Sequence, residues 1–195
     1  RLPDLAIDAT ARRILEVALR MFAMRGFHAT TMRELARGLE LQPSALYATF
    51  PSKDHLLAEI VRHGHELHLD ALRVAVLGAG GDPAAQLAAL VRANVEVHIG
   101  YPHLAIVIND ELNALPAELA AAGFALRRQS VALLTEIIER GIALGTFTSS
   151  HPAVTIAAIG AMTLRLPYWY RGLPALEALA TAQVELALRM LGVAS

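Results

Sequence analysis

The chain contains no cysteine. Disulfides, thiolate catalysis and cysteine-ligated zinc are therefore excluded, and the absence accords with a cytoplasmic protein. Aromatic residues make up only 5% of the sequence. With alanine and leucine dominant and strand-favouring residues few, this composition points to an all-α chain. Long hydrophobic runs are also missing. The longest uncharged apolar stretch, Ala153 to Leu164, is too short to span a bilayer, and Arg165 and Pro167 follow it. The first residues show no secretory pattern. No membrane association is expected. The sequence also lacks a nucleophile elbow, a P-loop, a dinucleotide fingerprint and an HExxH motif. Gly78-Ala79-Gly80-Gly81 lies between helical patterns and reads as a linker rather than a phosphate cradle. The expectation is a protein that is not an enzyme, with no catalytic residues, no cofactor and no metal site.

Neither charge sign dominates: 17 basic and 18 acidic residues leave a net charge of −1. The distribution is mildly uneven. Residues 1–65 hold nine Lys/Arg against seven Asp/Glu, and residues 66–195 hold eight against eleven. The mean hydropathy of +0.44 is high for a chain that does not cross a membrane. Such a chain must bury extra apolar surface in a partner or a ligand cavity.

Breakers divide the sequence into about nine helices. Ile14, Leu15, Ala18, Leu19 and Phe22 recur at helical spacing, and Gly26 follows as a stop. Thr31-Met32-Arg33-Glu34 reads as a capping box opening a short second helix. Gln42-Pro43 opens a third, with Pro43 at the first helical position. Ser52 caps a long fourth helix that the glycine run at 78–81 ends. Later helices are expected near 83–99, 102–114, 116–144, 152–168 and 174–191, with Pro102, Pro116, Pro152 and Pro174 near their starts.

Two short helices joined by Leu39-Glu40-Leu41-Gln42 make a helix-turn-helix, whose second helix can enter the DNA major groove. Leu35, Ala36, Leu41 and Leu46 are its expected packing residues. Thr31 lies at a helix N-terminus, which favours an anion. Tyr47, Thr49 and Lys53 carry donors suited to phosphate oxygens.

The segment 12–58 resembles the tetracycline-repressor (TetR) family of bacterial transcription regulators. The matching residues are Ile14-Leu15, Ala18, Phe22, Gly26-Phe27, Thr30-Thr31, Leu35-Ala36, Leu46-Tyr47, Phe50, Ser52-Lys53 and Leu56-Leu57. The run Leu46-Tyr47-x-x-Phe50-x-Ser52-Lys53 is the most specific piece. The resemblance implies a helix-turn-helix DNA-binding domain over 1–52 and a helical effector-binding and dimerisation domain over 53–195. It implies phosphate contacts by Thr31, Tyr47 and Lys53, with Thr49 where many members carry histidine. Arg33 stands where a second-helix side chain can reach a base. Gln42, Pro43, Ser44 and Ala45 begin the recognition helix. Glu40 departs from the family pattern, which has glycine in the turn. Either Glu40 takes the left-handed conformation, at roughly 1–2 kcal/mol of strain, or the turn is reshaped.

The remaining sequence is less specific. The resemblance implies a homodimer through the last two helices, reading a palindromic double-stranded DNA operator and responding to a small-molecule effector. Two subunits would read half-sites about 34 Å apart or a multiple of it. Ile156, Ile159, Met162, Leu176, Leu179, Val184, Leu188 and Leu191 supply wide apolar faces there. Effector candidates are His68, His98, His103, Asn109, Phe124, Met162, Arg165 and Trp169. His65 and His68 share a helix face but match no strong metal spacing. Asn109-Asp110-Glu111 is either a cavity mouth or a solvated helix end. Tyr168-Trp169-Tyr170-Arg171 either packs at a dimer edge or closes a pocket. The runs Glu136–Gly141 and Leu166–Arg171 are loosely similar to the family's regulators of lipid and steroid catabolism, which suggests a largely apolar effector. Repression is the family's commonest mode.

Overall fold

In the computed structural model the described residues are Leu2 and 8–193. Among them every regular element is helical. Ten α-helices follow in order: α1 (Ala9–Arg25), α2 (Met32–Gly38), α3 (Pro43–Thr49), α4 (Lys53–Gly78), α5 (Pro83–Gly100), α6 (Pro102–Asp110), α7 (Ala117–Ala143), α8 (Pro152–Leu164), α9 (Leu166–Trp169) and α10 (Leu176–Met190). A 3-10 turn, Leu112–Ala114, lies between α6 and α7. Nine of the described helices exceed a single turn, as the breaker pattern predicts. None is long and apolar enough to cross a membrane.

Local signals explain the boundaries. Gly26 ends α1 at φ 85°, where a Cβ would be strained, and its N–H bonds the Phe22 carbonyl. Thr31 and Glu34 form the predicted capping box at α2. Asp82 caps α5 through the Ala85 N–H at 2.9 Å.

Two expected helices break. The segment expected at 102–114 stops at Asp110, because Leu115 precedes a proline and adopts an extended conformation (φ −78°, ψ 145°). The segment expected at 152–168 splits at Arg165. Pro167 has no N–H for the Thr163 carbonyl, so the helix cannot run through it.

The chain forms two compact units: residues 1–67 with 101–126, and residues 68–100 with 127–195. In the first, α1 packs on α6 and α2 packs on α3. Leu19, Phe22, Leu35, Leu46, Leu57, Ile60 and Val107 share its core. Gly64 lets α4 and α6 approach closely, since a Cβ there would lie 2.5 Å from Ile108 Cγ2. In the second unit, α5 is central and packs on α8, α9 and, most extensively, α10. Leu87, Leu90, Leu134, Ile138, Phe147 and Leu191 fill that core.

The turn between α2 and α3 keeps the left-handed geometry despite its side chain. Glu40 sits at φ 56°. The Leu41 N–H bonds the Ala36 carbonyl at 2.9 Å, and the Glu40 N–H bonds the Arg37 carbonyl at 3.1 Å. This pair of bonds is a Schellman motif, which normally has glycine at its left-handed position. Glu40→Gly removes the strain of roughly 1–2 kcal/mol but adds backbone entropy to the unfolded chain, roughly 0.5–1 kcal/mol. Chemical denaturation should find the variant more stable by about 0.5–1 kcal/mol. Destabilisation would show that the glutamate side chain contributes a compensating contact.

Candidate functional site

The second and third helices present one polar surface. Among the described residues of α3, Leu46 alone is buried. Gln42, Pro43, Ser44, Ala45, Tyr47, Ala48 and Thr49 are all exposed. A seven-residue helix anchored by a single leucine, and by its packing on α2, leaves nearly its whole circumference outside. On α2, Met32, Leu35 and Ala36 face the core while Arg33 and Arg37 point to solvent. The two helices therefore join Arg33 to the exposed start of α3, as a major-groove reader requires.

Two of the expected phosphate donors are held internally. The Thr31 hydroxyl donates to Glu34 Oε2 at 2.7 Å and accepts the Glu34 N–H at 3.2 Å. The Glu34 carboxylate also accepts the Thr31 N–H at 2.9 Å. These bonds from Thr31 hold the Glu34 carboxyl below its usual range. Lys53 is engaged more strongly. Its ammonium donates to the Phe27 carbonyl at 2.7 Å and the Thr30 carbonyl at 2.8 Å, and lies 4.2 Å from the Phe27 ring centre. Thr31 and Lys53 thus carry internal bonds at the positions where phosphate contacts are expected. Thr31 shapes the start of α2, and Lys53 spends two of its three N–H groups on the α1–α2 loop. Thr49 bonds back to the Ala45 carbonyl at 3.4 Å, whereas Tyr47 projects outward, half-exposed.

Sequence reasoning missed the rest of this loop's anchorage. The Phe27 N–H donates to Glu111 Oε1 at 3.0 Å, and the Phe27 ring stands edge-on to Phe22 at 5.3 Å. Glu111 is half-buried, and one of its carboxylate oxygens is committed to this backbone bond. It ties the residue after α6 to the loop that positions α2. Its place in the run Asn109-Asp110-Glu111 was visible, but a backbone partner 84 positions away was not.

The effector candidates divide between the two units. His103, Asn109 and Phe124 belong to the first, and Phe124 packs against its core. His68, His98, Met162, Arg165 and Trp169 belong to the second. There, His68 and His98 meet in an edge-on pair, 5.6 Å between ring centres. Asn94, missed in the sequence, joins them. Its side-chain oxygen lies 2.9 Å from His68 Nε2, and its backbone carbonyl lies 2.8 Å from His98 Nδ1. The signal was available, since Asn94 and His98 are four apart and so share one face of the helix. Ser130 Oγ lies 3.4 Å from His68 Nδ1. Burial, and then the neighbouring His68, push the His98 imidazole down to about 4, against the opposing Asn94 bond. Burial lowers His68 as well.

Met162 is half-buried on α8, whereas Trp169 is exposed beside Tyr170. Arg165 stacks its guanidinium 5.0 Å from the Tyr168 ring centre. His65 is buried in the first unit beside Gly123. Among the described residues no group of three or more histidine or carboxylate side chains is arranged to hold a metal.

A short polar recognition helix set on a three-helix head, followed by a larger helical unit with a buried polar cluster, defines a helix-turn-helix DNA-binding regulator. Residues 14–60 match the family model for bacterial regulatory proteins, tetR family, and residues 80–191 match the tetracyclin repressor-like C-terminal domain. The HTH-type transcriptional repressor KstR2 of Rhodococcus jostii is 32% identical over 138 residues, covering 70% of this chain and 67% of that protein. A tetR-family regulatory protein from Rhodococcus RHA1 superposes with a TM-score of 0.90 at 31% identity, covering 97% of this chain and all of that one. AibR, solved in complex with isovaleryl coenzyme A and operator DNA, gives a TM-score of 0.82 at 26% identity, covering 90% and 96%. The chain belongs to the tetR family of bacterial regulatory proteins, a family of transcriptional regulators rather than enzymes.

Two measurements test the internal bonds. Lys53→Met should lower the unfolding free energy by about 1–2 kcal/mol, since it removes two charge-assisted bonds from a half-buried site. A lysine serving phosphate alone would leave stability unchanged. The second concerns pH. A histidine depressed from about 6.5 to about 4 is neutral in the folded chain while the unfolded chain takes up a proton between those values. Its stability contribution is complete above pH 6.5 and is lost as the pH falls towards 4, amounting to roughly 3 kcal/mol. The slope of stability against pH across that window should become shallower in His98→Gln, with the part due to His68 remaining. An unchanged slope would contradict the assignment to His98.

Proposed function

We propose that the chain is a ligand-responsive transcriptional repressor. It binds a palindromic operator as a homodimer and is released by a small, largely apolar effector. The observation that carries the reading is the exposure of α3 around the single buried Leu46. In this reading Arg33 contacts a base edge, Gln42, Pro43, Ser44 and Ala45 face the groove, and Tyr47 and Thr49 contact phosphate. Thr31 and Lys53 chiefly position these groups, and the third N–H of Lys53 adds a phosphate contact. Residues 1–52 form the DNA-binding domain and 53–195 the effector-binding and dimerisation domain. Such a regulator works in the cytoplasm, where the genome is.

Of the apolar residues expected at the dimer face, Leu176 is exposed and Ile156, Met162, Val184 and Leu188 are half-buried. Ile159, Leu179 and Leu191 are buried within the chain's own second unit. Exposed instead are Ala153, Val154, Ala157 and Ala161 on α8, and Ala178, Ala182, Leu186 and Met190 on α10. The α10 set recurs every four residues and so forms one continuous stripe. An exposed apolar stripe on each of two helices supports self-association. The repressor sign is supported by the relative from Rhodococcus jostii, itself a transcriptional repressor. A small-molecule effector is supported by the ligand bound in AibR, and its apolar character by the aliphatic interior of the second unit.

Selection of genomic fragments by the purified protein, followed by salt titration, tests the whole reading. Recovery of a palindrome with nanomolar-range affinity and steep salt dependence is expected. Arg33→Ala should relax preference at one position of each half-site, by roughly 1–3 kcal/mol. Weak, sequence-blind binding overturns the regulator reading, and recovery of an isolated half-site overturns the dimer.

A further inference from the structure

The interior of the second unit contains a hydrogen-bond acceptor with nothing to accept. His98 is 3% exposed and sits on α5, whose other buried residues beside it are mostly aliphatic: Leu90, Val91 and Val95. The geometry fixes its tautomer. A backbone carbonyl can only accept, so the 2.8 Å contact with the Asn94 oxygen places the proton on His98 Nδ1. Nε2 is then a bare lone pair. It is buried and has no hydrogen-bond partner within the protein. Buried polar atoms are nearly always paired, so one left open inside an aliphatic core marks a place where something else binds.

We propose that His98 Nε2 is the recognition point for a hydrogen-bond donor, a hydroxyl or an amide N–H, on an otherwise apolar and uncharged effector. This rests on the regulator reading above. Ketones, esters and carboxylates present acceptors only and set lone pair against lone pair at this atom. Protonating His98 to receive an anion works against its burial, which already holds the ring neutral far below pH 7. A metal ion is disfavoured because the partner imidazole is occupied: His68 Nε2 bonds Asn94, and its Nδ1 faces Ser130. Asn94 is the positioning residue. Its backbone sets the His98 tautomer and its side chain orients His68, so the ring pair is fixed before any ligand arrives. A second open group supports a polar ligand in this unit. The Thr163 hydroxyl is 1% exposed and unpartnered, on α8, which packs on α5.

The test uses full-length protein labelled with nitrogen-15 at histidine, with cyclohexanol and cyclohexanone as probes of matched shape. The His98 Nε2 resonance is assigned by its loss in His98→Gln. Cyclohexanol should move that resonance towards the hydrogen-bonded value and bind roughly tenfold more tightly than cyclohexanone, the worth of one well-made hydrogen bond. His98→Phe should abolish the preference, and His98→Gln, which keeps an acceptor, should retain part of it. Three results overturn the proposal: equal binding of alcohol and ketone, no movement of Nε2 with either, or a resonance already at the hydrogen-bonded value and unmoved, as a resident water would produce. Equal binding of alcohol and ketone by the wild-type protein decides the proposal even if a variant fails to fold. The operator selection is run on the same preparation. Operator recovery without an alcohol preference sinks this inference alone, and failure to recover an operator sinks the regulator reading whatever His98 does.

Discussion

The first unit depends on how Phe27 is held. Its carbonyl is bonded by Lys53 at the start of α4, its N–H by Glu111 after α6, and its ring packs on Phe22 of α1. One residue in a loop thus joins three helices through three different groups. Without the bonds to Phe27, the loop leading into α2 would lose its polar ties to α6 and most of its tie to α4. Hydrophobic packing is non-directional, and it tolerates small rotations that a DNA-reading helix cannot. Charge-assisted bonds to backbone atoms supply the direction.

The same constraint explains why Lys53 is conspicuous without being a free donor. A lysine near the DNA-facing surface suggests a phosphate contact. Here its ammonium satisfies carbonyls at the C-terminal side of the α1 stop, where Gly26 has turned the chain out of the helix. Thr31 behaves similarly, since Glu34 occupies its hydroxyl and its N–H. The polar residues nearest the recognition helix are therefore of two kinds. Some organise the backbone, and others, such as Arg33, Ser44 and Tyr47, are left outside.

The second unit solves a different problem. One imidazole and an amide are buried, and a second imidazole half-buried, among leucines and valines, where an unpaired polar atom costs about 1–3 kcal/mol. Asn94 offsets most of that cost by accepting from both rings, His68 through its side chain and His98 through its backbone. What it leaves unpaired is directional: one lone pair, on one nitrogen, in a fixed ring. A polar group retained at such a cost specifies chemistry inside an interior that otherwise offers only shape.

The sequence alone determined the helical class, the breaks at Gly26, Gly78 and Gly145, the capping box at Thr31 and the proline at the start of α3. Each is set within a few residues by backbone sterics and local hydrogen bonds, so a linear reading finds it. The exposed face of α3 was legible for the same reason, because one buried position in seven leaves little choice about what points outward. The interruption at Arg165 was also local, and Pro167 carried its signal, but the apolar pattern on either side concealed it. Only the tertiary structure decided that Lys53 and Glu111 close on Phe27, that His65 and His68 belong to different compact units, and that His98 keeps an open acceptor. Those outcomes depend on contacts between residues far apart in the chain, where the partner of a charge or an imidazole is set by packing and not by spacing.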